Sequence, residues 1–153
     1  MVWAGITASH KTQLVFIDSF SLSSLTAACY RDDILETHVK PFFNNHPNIT
    51  EFQQDNAPPH SARLTQQYLQ QNNITTMDWP SKSPDLSPIE NAWDYLDRKV
   101  KARANIPSNI AELKQALTQE WNAIPQHYIR NLMNSMPRRL RACIDANGGH
   151  TGY

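Results

Sequence analysis

The first half of the chain carries short apolar runs, and the last third carries apolar residues at helical spacing. Val2 to Ile6 and Gln13 to Ile17 cluster β-branched and aromatic residues around Ser9-His10-Lys11, which predicts a hairpin. Ile34, Leu35, Val39, Phe42 and Phe43 fall near helical spacing within Tyr30 to Phe43, and Pro41 is expected to end or bend that helix. Ile49 to Asp55 is a short strand that breaks at Asn56-Ala57-Pro58-Pro59, because proline cannot continue a ladder. Asp55 is therefore placed at a strand's C-terminal end. Ser61 to Gln71 is predicted as a helix with Leu64, Tyr68 and Leu69 on one face, stopped by Asn72-Asn73, and Ile74 to Trp79 as a further strand.

Pro80 to Pro88 holds three prolines and three serines, which resists regular structure until a helix starts near Pro88. There Ile89, Trp93, Leu96 and Val100 step by four, three and four, a single helical stripe expected to pack on the sheet. Glu90, Asp94 and Asp97 form a second column about a quarter-turn away. Ser108 is expected to open a helix bearing Ile110, Leu113, Leu117 and Trp121, and Pro125 another through Met133. Strands, then strand and helix in alternation, then helices predict an α/β protein with a mixed sheet flanked by helices.

Composition narrows the picture. A length of 153 residues with 40% hydrophobic content predicts one domain. With 14 Lys+Arg against 14 Asp+Glu, no global positive field draws the chain to nucleic acid, so any DNA contact rests on local patches. Cys29 and Cys143 stand far apart without metal-ligand spacing, which argues against a zinc knuckle or a disulfide framework and for a reducing, intracellular setting. No signal pattern and no membrane-length apolar run is present.

The candidate chemistry lies in two carboxylates. Ligands in open α/β sheets sit beyond the C-terminal ends of parallel strands, where Asp55 is expected. If the Glu90 helix crosses that edge, the two acids can share a divalent cation of the kind that prefers carboxylate and water oxygens.

The residues around these acids are Phe52-Gln53-Gln54-Asp55-Asn56-Ala57-Pro58-Pro59-His60 and Trp79-Pro80-Ser81-Lys82-Ser83-Pro84-Asp85-Leu86-Ser87-Pro88-Ile89-Glu90-Asn91. They resemble the Tc/mariner superfamily of DNA transposases, which carry an Asp-Asp-Glu triad on a ribonuclease H-like fold, and the 34 residues between the acids, 56 to 89, match that family's spacing. The similarity runs from Val2-Trp3-Ala4-Gly5 to Gly148-Gly149-His150-Thr151-Gly152-Tyr153, so residues 1–153 resemble the later part of the catalytic domain.

The resemblance implies that Asp55 is the second metal-binding Asp and Glu90 the final Glu, both catalytic. It implies that Asn56, His60, Pro84, Asp85, Pro88 and Asn91 shape the loops beside them. It further implies Mg²⁺ or Mn²⁺ as cofactor, transposon ends and target DNA as partners, a nuclear setting, and room for a homodimer but not for a membrane. The family's first Asp lies further upstream of the second than this chain reaches. It is expected before Met1, on a central strand, so the fold is expected to be incomplete and the chain inactive alone. Asp18, at the end of an apolar run, is the internal alternative. A non-catalytic nucleic-acid-binding module that keeps the scaffold is the competing reading, and a related nuclease or integrase fits the motifs less well.

Other residues have plainer roles. Asp94 and Asp97 stand four residues before Arg98 and Lys101 and are read as solvated ion pairs. His60 is divided between capping or packing and a place beside the metal. Trp3, Trp79, Trp93 and Trp121 are read as core anchors. Arg138, Arg139 and Arg141 are read as a solvated helix-end cluster, with phosphate contact as the alternative.

Overall fold

The structure is a computed structural model that describes residues 1–17, 25–80, 83–149 and 151–153. Asp18 lies outside them, as do Ser81, Lys82 and His150. The chain forms two compact units, one comprising Met1 and residues 17–82, the other residues 2–16 and 83–153.

In the second unit the predicted hairpin is present. Strand β1 (Val2–Trp3) pairs antiparallel with β2 (Val15–Phe16), and an isolated bridge joins Ile6 to Lys11. Gly5 passes so close to Thr12 that a Cβ there would meet the threonine methyl at 3.3 Å, and the Gly5 N–H donates to Thr12 Oγ1 at 2.8 Å. The hairpin packs on helices. Helix α5 (Pro88–Lys101) buries Ala92, Leu96 and Val100 with Ile89 and Trp93 beside them, and these meet α6 (Ile110–Ala123), α7 (Gln126–Asn134) and Ala4. The stripe expected to pack on a sheet therefore packs mainly on helices, with the fully buried Trp121 of α6 stacked on Trp93 at 5.2 Å. Asp94 and Asp97 pair with Arg98 and Lys101 as expected, at 3.0 and 2.7 Å.

Lys11 fastens the hairpin to the end of α6. Its ammonium donates to the carbonyls of Trp121, Asn122 and Ile124 at 2.7, 3.0 and 2.6 Å, which satisfies acceptors left open at a helix C-terminus. At the other end of α6 the cap is Asn109 rather than Ser108. Asn109 Oδ1 accepts from the Glu112 N–H, while Glu112 reaches back to the Ser108 N–H and hydroxyl at 2.8 and 2.9 Å, a reciprocal arrangement that serves two exposed donors.

The first unit centres on a long helix. It begins as α1 (Ala27–Cys29), capped by Thr26, winds as a π-helix over Tyr30–Val39, and continues as α2 (Lys40–Asn45). Five-residue hydrogen bonds such as Lys40 N–H to Leu35 O stack residues five apart, so Tyr30 with Leu35 and Ile34 with Val39 all face the core. The helix does not end at Pro41. Pro41 sits at the second residue of α2, just after the winding changes from π to α, and the helix runs on through it.

Strand β3 (Glu51–Phe52) pairs parallel with β4 (Thr75–Thr76). Between them run a short helix α3 (Pro58–Ser61) and α4 (Arg63–Gln71), whose Thr65, Tyr68 and Leu69 are buried. Asn73, in the left-handed region at φ 55°, turns the chain into β4. Among the described residues the strands thus form two separate two-stranded ladders, one antiparallel and one parallel, and helices supply most of the core.

Two carboxylates make stability depend on acid. The Ser108 N–H and hydroxyl hold Glu112 below the usual carboxylate range, and the Tyr68 hydroxyl followed by Lys40 does the same for Glu36. A value lower in the folded than in the unfolded chain gives stability that is complete above the ordinary glutamate pKa of about 4.3 and is lost as pH falls through the folded values. Urea melts should show this loss between neutral pH and acid, and Glu112→Gln should flatten it. An unaltered acid slope in that variant would contradict the cap's role.

Candidate active site

Asp55 lies three residues past the end of β3 rather than on it. Its side chain is 68% exposed, yet it is held. Oδ1 accepts the Ala57 N–H at 3.0 Å and meets His60 Nδ1 at 2.5 Å, while Oδ2 has no partner among the described residues. Local sequence explains the geometry. Pro58 and Pro59 open α3, and this single helical turn brings His60 back over Asp55.

His60 is itself braced. Its ring packs against Tyr30 at 4.3 Å, and its carbonyl accepts the Gln66 side chain at 2.9 Å. The buried Tyr30 hydroxyl donates to Gln54 Oε1 at 2.7 Å. Burial first, and then the negative charge of Asp55, push the Tyr30 hydroxyl well above its ordinary pKa, so it stays a donor. Thr65 donates to the Pro59 carbonyl at 2.6 Å and anchors the proline turn to α4. His60 thus both packs on Tyr30 and meets Asp55.

Asn56 spans to the loop after β4, where its Nδ2 donates to the Trp79 carbonyl at 2.8 Å. Together these loops border a cleft of about 280 Å³ beyond the C-terminal ends of both parallel strands, lined by Asp55, Asn56, His60, Ser61, Asp78 and Trp79 among others. This is where open α/β sheets place their ligands. Among the described residues two carboxylates and several neutral oxygens line the cleft, a donor set that suits a hard divalent cation. No group of three His, Cys, Asp or Glu among the described residues would hold a metal by itself. Asp78 was missed in the sequence, although it stands one residue before the end of the predicted strand Ile74 to Trp79.

Glu90 belongs to the other unit. It is exposed in the first turn of α5, and its N–H donates to the Ser87 carbonyl at 3.1 Å. Leu86, Ser87 and Pro88 before it are buried, and Pro84 and Asp85 form a turn of 3₁₀ helix with Leu86. The carbonyl of Asn91 accepts the Tyr128 hydroxyl at 3.5 Å.

The arginine cluster differs from expectation. Arg138, Arg139 and Arg141 lie near the start of α8 (Met136–Asp145), not at a helix C-terminus. Arg139 is buried, so only Arg138 and Arg141 remain as surface charges. Trp121 is a core anchor as expected and the half-buried Trp93 packs against the same core, whereas Trp3 and Trp79 are half-buried outside it.

The chain shares a ribonuclease H-like fold with the solved catalytic domain of the Mos1 mariner transposase, with a TM-score of 0.81 over 98% of this chain and 74% of that one at 19% identity. The family model of the DDE superfamily endonucleases matches residues 13–114. The chain belongs to that superfamily, in its Tc/mariner branch. It is 37% identical to the Tc1 transposase and 33% identical to the Tc3 transposase of Caenorhabditis elegans, in each case over all of this chain. It spans 54% and 45% of those relatives, about half their length. The Mos1 catalytic domain has also been solved with Mg and with Mn, and Mos1 transposase as a paired-end complex with the left transposon end.

Proposed function

We propose that this chain is the metal-dependent catalytic part of a DNA transposase that cuts at transposon ends and joins the freed 3′-hydroxyl to target DNA in the nucleus. In this reading Asp55 and Glu90 are catalytic, and each binds Mg²⁺ or Mn²⁺. The observation that carries it is the Asp55 carboxylate in an acidic cleft, with one oxygen fixed by Ala57 and His60 and the other without a partner among the described residues. The motif residues around both acids, the family match and the fold shared with a domain solved with Mg and Mn support it.

When bound, the cation supplies activation of the attacking oxygen and charge stabilisation at the reacting phosphate. The chain's own residues prepare for it. His60 orients Asp55, Tyr30 and Gln66 hold His60, and Asn56 keeps the two cleft loops together. Asp78 adds a second negative charge to the cleft, which favours cation binding.

Calorimetric titration of the chain with Mn²⁺ tests the reading. Saturable binding that Mg²⁺ competes away is expected, and Glu90→Ala should weaken it by about tenfold or more. Absence of saturable binding, together with cooperative melting and DNA binding that ignores divalent metal, would instead favour the non-catalytic nucleic-acid-binding module.

A further inference from the structure

The C-terminal residues return to the turn that leads into Glu90. Thr151 donates its hydroxyl to Asp85 Oδ2 at 2.8 Å, across 66 residues of sequence. Arg139, 2% exposed, donates through Nη1 to the Asp85 carbonyl at 2.9 Å and through Nε to Ser135 Oγ at 2.7 Å. The Tyr153 ring lies 5.0 Å from the guanidinium carbon, within range of a cation–π contact. Asp85 is thus gripped through both its side chain and its backbone.

The grip falls where local structure is weak. Pro84–Leu86 is a single 3₁₀ turn, a geometry with poor hydrogen bonds, closed by Leu86 N–H to Ser83 O at 3.2 Å and Ser87 N–H to Pro84 O at 2.9 Å. The Glu90 N–H then bonds to the Ser87 carbonyl. Whatever fixes Asp85 therefore fixes the start of α5.

We infer that residues 151–153, with Arg139, form a tether that holds the 84–86 turn and so sets the position of Glu90, which makes Thr151, Asp85 and Arg139 positioning residues. The consequence for metal rests on the reading of Glu90 as a ligand. Thr151 is the residue to change, because α8 and its buried arginine stay intact. Hydrogen exchange on the full chain should show the Leu86 and Ser87 amides exchanging about three- to tenfold faster in Thr151→Val, the factor one hydrogen bond is worth. Amides of α6 should be unaffected, and Thr151→Ser, which keeps the hydroxyl, should restore the parent rates. Mn²⁺ affinity should fall in Thr151→Val and recover in Thr151→Ser. Unchanged exchange at Leu86 and Ser87, both in Thr151→Val and in a chain ending at Gly149, would overturn the tether. If Glu90→Ala leaves Mn²⁺ affinity intact, the metal reading fails, while the exchange comparison still decides the tether.

Discussion

Asp55→Ala should lower Mn²⁺ affinity by more than the roughly 10- to 100-fold that loss of a supporting outer partner costs. The variant removes a cleft carboxylate whose orientation is fixed by two donors, Ala57 N–H and His60 Nδ1. His60→Ala should fall inside that 10- to 100-fold range, since Oδ1 keeps one of its partners and the charge remains. Asp55→Asn separates charge from shape. It keeps an acceptor for the Ala57 N–H but loses the negative charge, so it should resemble Asp55→Ala in calorimetry while melting like the parent. Unchanged Mn²⁺ affinity in Asp55→Ala would remove Asp55 from the site, however well the motif fits.

Trp121→Ala should have the largest effect on folding, about 3–5 kcal/mol. The indole is fully buried, stacks on Trp93, donates Nε1–H to the Thr12 carbonyl at 2.8 Å, and lies 5.9 Å from the Lys11 ammonium. Its loss would open a cavity among α5, α6 and the hairpin and leave the Thr12 acceptor without its donor. Domains are stable by only about 5–15 kcal/mol in total, so urea denaturation should show a large fall in midpoint. Ile110→Ala is the control, because Ile110 is 74% exposed on the same helix and should change stability by no more than about 0.5 kcal/mol. Similar midpoints for the two variants would contradict this account of the core.

What could be read from the sequence follows the range of the interactions. Elements set by neighbours were legible: the hairpin, the proline-opened α5 and α7, the stop at Asn72-Asn73, and the ion pairs at Asp94 and Asp97. Asp55 and His60 are also close in sequence, and the two prolines between them announce the turn that joins them, although periodicity has no means of showing that the ring would meet the carboxylate. The π winding at Tyr30–Val39 left no signal of its own, since Ile34, Leu35 and Val39 suit either helix, and the helix runs on through Pro41 just after it. Arg139 was misread because a charged run is usually solvated, and its partner Asp85 lies 54 residues away. Such contacts depend on the fold being complete, so no local pattern carries them.

The three carbonyls that Lys11 caps lie 110 to 113 residues further along the chain. The stretch from 17 to 82 contributes to the other unit, and its contacts are mostly closer in sequence. Closing so long a loop carries an entropic cost before any contact rewards it, and distant pairings slow folding. During synthesis the hairpin therefore leaves the ribosome well before α6, the helix whose end it caps. Until α5 and α6 have emerged, Ala4, Ile6 and Leu14 lack the helices that cover them, and for that interval the short strands beside them present open edges to any other chain nearby.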